Sequence, residues 1–456
     1  MSSMTELTVE RRATTLVVAS VAPLLVLTNY TVPMVTLPQT AASLGAGATG
    51  PVWILGAIAL GLSSLLLVSG GLADDYGRRR VLVAGTAVLA GASVVAAVST
   101  SVPVFVLARL VQGGASAAML AASLGIVGHA YPGGMERVRA SGRYGAMMGL
   151  GTALGPLVSG ALATVTSWRA VYWLMAACAL ALAVVSARVL EESRSALPRR
   201  FDVPGVVLLS LGVAALVAGV TEGRVGWSRP VVLGAFAVAV VLVGAFVAVE
   251  RRRADPLIDL ELFRRPAFLV STGGALVVGA AVVGLLSYLP SVLQAAHGLT
   301  PLDSALLFCV WSGLSFVASL LTRHVRLATA ARLALGLGLS AAGFAGLLGV
   351  GGSLHLPLVV AGLAVSGVGS GLINSSITQL AIDSVPAHRV SMGSGANNTA
   401  RYVGSSLGAA AVAALVGALG WSLGTGIMVA ACIVLMGVTA VAALVMPGRP
   451  GDRGRD

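Results

Sequence analysis

Fourteen apolar runs follow one another along the chain, separated by short polar gaps, and the arginines fall in every second gap. A bilayer core about 30 Å thick needs roughly 20 apolar residues per helix. Runs at about 14–37, 51–72, 81–100, 103–128, 143–165, 169–188, 203–222, 229–249, 267–290, 302–322, 329–350, 356–381, 390–418 and 422–446 meet that length. The pattern predicts an all-α polytopic membrane protein of 14 transmembrane spans. A β-barrel is excluded, because it needs short alternating segments and these runs are long and continuously apolar.

Composition sharpens the picture. The chain is 57% hydrophobic and 10% charged, more apolar surface than a soluble domain can hide. Its 58 glycines suit membrane helices, where small residues let backbones approach closely. The termini and loops are short, which leaves no room for a separate soluble domain. Arg11 and Arg12 ahead of an apolar run resemble the start of a secretory signal, but the run is long and thirteen more follow, so an uncleaved first span is expected.

The net charge of +12 suggests nucleic acid until its distribution is read. Every basic residue is arginine. With the N-terminus taken as inside, 24 of the 29 fall in cytoplasmic tails and loops, and only Arg169, Arg224 and Arg229 fall outside. That is the positive-inside rule, which puts both termini in the cytoplasm of a multi-pass protein of the inner (plasma) membrane. A nucleic-acid role would need a clustered basic face. Cys178, Cys309 and Cys432 are scattered among the spans, and the five histidines lack ligand-spaced neighbours, so neither a disulfide framework nor a metal site is expected.

The longest cytoplasmic loops, 189–202 and 250–266, bracket spans 7 and 8 and divide the chain six, two and six. The expected units are an N-terminal six-helix bundle (1–190), linkers with the two extra spans (191–265), and a C-terminal six-helix bundle with a short tail (266–456). A faint internal repeat supports two related halves. Ser141-Gly142, Gly151 and Gly155 recur 253 residues later as Ser394-Gly395, Gly404 and Gly408. VQGGASA (111–117) is echoed by VSGVGSG (365–371).

Several motifs carry chemistry. The gap between spans 2 and 3 reads Gly71-Leu-Ala-Asp74-Asp75-Tyr-Gly77-Arg78-Arg79-Arg80. Its glycines allow a tight turn and its charges can pair across it. Span 4 holds Arg109 and Gln112. Span 5 holds Gly151-x-x-x-Gly155-Pro156, a close-packing pair followed by a helix-bending proline. This ordered series resembles the major facilitator superfamily. TSWRAVY (166–172), FDVPG (201–205), Glu250-Arg-Arg to Pro256-Leu and SGANNTARYVGSSLGAA (394–410) look like its fourteen-span drug:proton antiporter subfamily. The resemblance covers nearly the whole chain. It implies two bundles that rock about a central site, exporting lipophilic small molecules (drugs, antibiotics or secreted metabolites) against inward proton flow. It associates Gly151, Gly155 and Pro156 with control of leak and direction.

Two departures matter. TNYTVPMVTLP (28–38) puts Asn29 where the subfamily commonly has an aspartate, and Asp75 stands where a basic residue is common. Asparagine hydrogen-bonds but carries no proton at physiological pH. Within the hydrocarbon the sequence places Arg109 and Arg401 and no carboxylate, and a charge there costs roughly 2.5–3.5 kcal/mol on insertion scales. Helical spacing groups Asn397, Arg401 and Gly404 on one stripe and Arg109, Gln112 and Gly113 on another.

The expected site therefore has Arg109 and Arg401 lending positive potential to a central cavity. Asn29, Gln112, Asn374, Asn397 and Asn398 offer hydrogen bonds, Tyr288 and Trp311 stand as aromatic wall candidates, and Gly71, Asp74, Gly77 and Arg78 latch the cytoplasmic side. Two cations and no acid favour neutral or anionic substrates. The proton is the expected coupling ion, with Asp74, Glu222, Asp303, Asp383 or the substrate as its carrier. No cofactor is expected: Gly367-x-Gly369-x-Gly371 lies inside a span and follows no strand, and a chain without lysine has no P-loop. An importer or facilitative carrier of organic solutes shares this outline, a non-transporting membrane sensor is a weaker alternative, and an enzyme lacks a cluster of reactive groups.

Overall fold

Backbone buried in lipid must satisfy its own N–H and C=O groups, and a continuous apolar run does so as a helix. The computed structural model describes residues 2–131, 134–194, 202–223, 226–253, 260–383 and 390–445, and all regular structure among them is helical. In the first part of the chain these are α1 (Ser2–Thr31), α2 (Pro33–Ser43), α3 (Gly50–Tyr76), α4 (Arg78–Val98), α5 (Val102–Ala130), α6 (Gly134–Val165) and α7 (Ala170–Val189). A middle pair follows, α8 (Val203–Gly223) and α9 (Pro230–Glu250). The last part holds α10 (Pro266–Val278), α11 (Leu285–His297), α12 (Pro301–Leu321), α13 (Thr329–Ala345), α14 (Leu356–Asp383) and α15 (Val390–Val445). Eleven helical stretches among the described residues are long and apolar enough to cross a membrane.

Three interruptions depart from the simple pattern of one run, one helix. The first run breaks at Val32-Pro33, which divides α1 from α2. The ninth contains a π turn, Gly279–Gly284, between α10 and α11. The thirteenth and fourteenth join in α15, whose only non-helical residue is Gly420, at φ 81° and ψ 173°.

The internal repeat is a repeat of contacts. Gly151 and Gly155 of α6 sit against α1, where added Cβ atoms would overlap the carbonyl oxygen of Leu24 and the side chain of Thr31. Gly404 and Gly408 of α15, 253 residues on, sit against α10 and the π turn at the carbonyl oxygens of Leu276 and Ala280. Gly113 of α5 meets Ile58 O of α3, and its counterpart Gly367 of α14 meets Trp311 O of α12. At these three pairs of positions small residues thus stand where one backbone crosses another, in the first part of the chain and again in the last.

The halves meet along two long seams, α3 with α15 and α6 with α12. Under the repeat these are one contact written twice. At one end α2 also touches α11, and Gln294 Nε2 donates to Val35 O at 2.7 Å. The middle pair packs on α3 and α15 through α8: Val213 and Val217 of α8 pack with Leu60 of α3, beside Val403 and Leu407 of α15. Helix α9 lies outermost, with Val240 72% and Val241 67% exposed, as a lipid-facing helix should be.

At the base of that pair, two of the motif stretches meet. Asp202 caps α8 by accepting from Gly205 N at 2.9 Å and pairs with Arg253 at 3.1 Å. Asp202 and Glu250 are both buried, and a Cβ on Gly205 would overlap a carboxylate oxygen of each. Phe201 and Pro256-Leu257 of those stretches, like Arg224, lie outside the described residues.

Candidate functional site

Proline is the starting point, because it removes one helical hydrogen bond and crowds the carbonyl four residues back. For Pro33 that carbonyl is Asn29 O. The backbone is still α-helical through Val32, at φ −46° and ψ −51°, so Asn29 O points at a donor that does not exist. Arg109, fully buried on α5, fills the gap: its Nη1 donates to Asn29 O at 2.9 Å and to Gln112 Oε1 at 2.8 Å. Longer contacts reach Asn29 Oδ1 at 3.3 Å and Tyr30 O at 3.4 Å. Gln112 Nε2 passes the network on to Ser93 Oγ of α4 at 3.1 Å, and Asn29 Nδ2 donates back to Gln112 Oε1 at 3.4 Å. Near Pro156, Thr152 O, four residues before it, lies 3.4 Å from Thr31 Oγ1 of α1, a hydroxyl whose shortest acceptor is Leu27 O of its own helix at 3.0 Å. At Pro33 a neighbouring helix thus re-satisfies the carbonyl that the proline frees, as lipid requires.

A cavity of about 100 Å³ lies between the halves. Tyr30, Thr31 and Met34 reach it from α1 and α2, Thr152 from α6, Val282 from the π turn, Phe308 and Trp311 from α12, Ser370 and Asn374 from α14, and Arg401, Tyr402 and Ser405 from α15. Tyr30 OH lies 2.8 Å from Ser405 Oγ, a hydrogen bond from one half to the other. The Tyr30 and Tyr402 rings are 5.7 Å apart at 55°, and Phe308 meets Trp311 edge-on at 5.2 Å. Trp311 Nε1 donates to Ser370 Oγ at 3.1 Å. Arg401 is half-buried, lies 5.5 Å from the Tyr402 ring, and donates to Asn374 Oδ1 at 3.4 Å.

Of the residues singled out in the sequence, Trp311, Asn374 and Arg401 line this cavity. Asn29, Arg109 and Gln112 come together, but in the network among α1, α4 and α5 rather than on the cavity wall. Asn397 ties α15 to α10 through Ser271 O at 3.0 Å and Ser271 Oγ at 2.9 Å. Tyr288 stacks on Trp421 at 6.5 Å, and Asn398 is half-buried on α15. Gly151, Gly155 and Pro156 form the α6 face against α1 described above. Sequence reasoning passed over Tyr30, Tyr402 and Phe308. The first two are sequence neighbours of Asn29 and Arg401, and two aromatic hydroxyls deep in apolar runs were the available signal.

At the far end, the span 2–3 gap collapses to one residue. Gly77 closes α3 and opens α4 at φ 109° and ψ 129°, a conformation that suits glycine alone. A partner that the sequence did not reveal holds the turn: Glu192, just past α7, accepts from Arg79 N at 3.0 Å, at the start of α4, where a carboxylate complements the helix dipole. Arg79 and Arg80 flank it at 3.9 and 3.7 Å, and Arg78 N donates to Ser193 O at 3.0 Å. The Arg78 side chain crosses Gly125 of α5, and Gly71 lies on α3, six residues before Gly77. The side chains of Asp74 and Asp383 lie outside the described residues. Of the other named carboxylates, Asp303 is engaged in a capping box with Thr300 and Glu222 is half-buried near the end of α8.

A family model described as Major Facilitator Superfamily matches residues 19–409. The multidrug resistance protein Stp of Mycobacterium tuberculosis is 31% identical over 407 residues, covering 89% of this chain and 76% of that protein. The probable actinorhodin transporter of Streptomyces coelicolor is 33% identical over 409 residues, covering 86% and 70%. The tetracenomycin C resistance and export protein of Streptomyces glaucescens is 28% identical over 405 residues, covering 88% and 75%.

Proposed function

The chain belongs to the major facilitator superfamily, as a multi-pass transmembrane transporter of the drug-efflux kind and not an enzyme, and from that premise we propose that it is a secondary active exporter working by alternating access. Its substrates are small lipophilic molecules such as drugs, antibiotics or secreted metabolites, neutral or anionic in preference to cationic. It sits in the inner (plasma) membrane with both termini in the cytoplasm. Relatives that bear the names of resistance and export proteins support efflux over uptake.

The reading includes fourteen spans. Helices α1 and α2 make the first, α10 with the π turn and α11 the ninth, and α15 the last two on either side of Gly420, while every other helix makes one. Spans one to six and nine to fourteen form two six-helix bundles, and α8 and α9 are the extra pair. The lengths of α3 (27 residues) and α13 (17 residues), the break in α15 and the repeated glycine contacts support this count.

One observation carries the proposal: the cavity between the halves is walled by both of them, and its hydrogen bond from Tyr30 to Ser405 joins one to the other. At about 100 Å³ it is smaller than pockets that enclose drug-sized ligands, roughly 300–1,000 Å³, so loading requires the halves to part. Gly71, Asp74, Gly77 and Arg78 restrain that movement at the cytoplasmic end, and Gly151, Gly155 and Pro156 set the path of α6. Protons drive the cycle. With asparagine at position 29 the carrier is an acid near a span end or the substrate's own ionisable group.

Everted membrane vesicles test the proposal. Inward accumulation of a tritiated lipophilic antibiotic, dependent on an acid-inside pH gradient and lost in Tyr30→Trp, which crowds the cavity, is the expected result. Accumulation that persists in gradient-free vesicles would remove proton coupling. Flux only in the opposite direction would remove export.

A further inference from the structure

We infer that the cavity selects planar aromatic molecules bearing an ionised acidic group, the anion held by Arg401 beside Asn374 and the ring laid against Tyr30, Tyr402 and Trp311. This rests on the reading above that the cavity is where substrate sits.

The charge argument comes first. Arg401 is the one charged residue lining the cavity among those described, and no described carboxylate pairs with it. Its one side-chain hydrogen bond among the described residues, to Asn374 Oδ1, is long at 3.4 Å. Arg109 differs in every respect: it is fully buried and committed to acceptors on α1 and α5. A guanidinium carries five donors in a planar fork that matches a carboxylate or a similar oxyanion, and Arg401 keeps most of that fork for an incoming group. A cationic ligand would meet the same charge with no acid among the described lining residues to compensate it.

The walls supply the second argument. The polar tips of two aromatic side chains are already engaged within the protein, Tyr30 OH with Ser405 and Trp311 Nε1 with Ser370. What they offer a ligand is therefore ring surface. Tyr30 comes from the first half and Tyr402, Phe308 and Trp311 from the second, so a flat ring system between them touches both halves. Offset and edge-on contacts with such rings favour an aromatic ligand over an aliphatic one of equal area. The cavity in this state is smaller than the roughly 150 Å³ that accommodates benzene in an apolar protein interior, so a fused ring enters only as the halves move apart.

The test uses the purified full-length protein in lipid nanodiscs and three aromatic probes that differ in charge: 1-hydroxy-2-naphthoate, neutral 2-naphthol and cationic ethidium. Calorimetric titration is expected to rank hydroxynaphthoate first, at least about tenfold tighter than ethidium. Arg401→Gln should weaken hydroxynaphthoate by about tenfold or more, the scale of a lost charge-assisted hydrogen bond. It should leave 2-naphthol within about twofold, and Arg401→Lys should recover part of the loss. Ethidium binding tighter than hydroxynaphthoate overturns the inference, and so does an equal loss of the acid and 2-naphthol in Arg401→Gln. The wild-type ranking decides the matter if that variant does not fold. Uptake into everted vesicles separates the two readings. Hydroxynaphthoate bound in preference but never transported leaves the site and removes export, whereas ethidium transported without hydroxynaphthoate binding leaves export and removes this ligand class.

Discussion

The pairing of Pro33 with Arg109 yields a measurable coupling. Replacing Arg109 with leucine removes the 2.9 Å donor to Asn29 O, and Pro33 has no N–H to take its place. A buried carbonyl left without a partner costs about 1–3 kcal/mol. The single substitution does not report that figure directly, since removing a charge from membrane depth returns roughly 2.5–3.5 kcal/mol on insertion scales. A double-mutant cycle cancels that offset. In a Pro33→Ala background the first residue of α2 regains an N–H, and the α-helical φ and ψ at Val32 aim it at Asn29 O. Arg109→Leu should therefore destabilise the wild-type chain by about 1–3 kcal/mol more than it destabilises the Pro33→Ala chain. The assay is reversible unfolding in mixed detergent micelles, followed by tryptophan fluorescence, on the wild type, both single variants and the double variant. Additive effects, within about 0.5 kcal/mol, would refute the idea that Arg109 serves the carbonyl freed by the proline.

Other outcomes follow from the same contacts. Gly155→Ala and Gly408→Ala should each cost about 1–3 kcal/mol by overpacking, because their Cβ atoms run into backbone or side-chain oxygens. Gly145→Ala on the same α6 meets nothing within 4 Å and should stabilise by up to about 1 kcal/mol through helix propensity; thermal melts compare the three. Gly77→Ala combines a strained φ with a clash at 2.6 Å against Glu192 Cδ, so it should lower the yield of folded protein, whereas Glu192→Gln, which keeps a side-chain acceptor for Arg79 N, should cost less than about 1 kcal/mol and become milder still in high salt. Gly205→Ala pushes on Asp202 and Glu250 and should loosen the α8–α9 pair, read as faster hydrogen exchange confined to those helices.

Hydrophobic run length and arginine position made the class of this protein legible before any coordinates, since lipid thickness and the cost of burying charge act residue by residue along the chain. The glycine repeat was also legible, because a backbone crossing at fixed depth admits little else. Side-chain direction was not. Arg109 and Arg401 look alike in sequence, each an arginine in an apolar helix beside small residues, yet one meets a carbonyl that a proline four residues later, at the start of α2, left unpaired, and the other meets a cavity. Only the way α1 packs against α5 distinguishes them. Tyr30 and Tyr402 were hidden for a similar reason, because an aromatic in an apolar run is usually packing. Glu192 escaped notice because its role depends on the end of α7 folding back to the start of α4, more than a hundred residues earlier.

The leading helix of each half is interrupted, but by unlike means. A proline break is permanent, because a missing N–H cannot be regained by any rearrangement. A π turn holds i→i+5 bonds that exchange for i→i+4 bonds without loss of donor or acceptor. The first run is thus interrupted for good, with a guanidinium on the freed carbonyl, whereas returning Gly279–Gly284 to ordinary pitch would turn everything from Leu285 to His297 by about one residue's rotation. The freedom to change pitch without losing a hydrogen bond therefore belongs to the ninth run and not to the first.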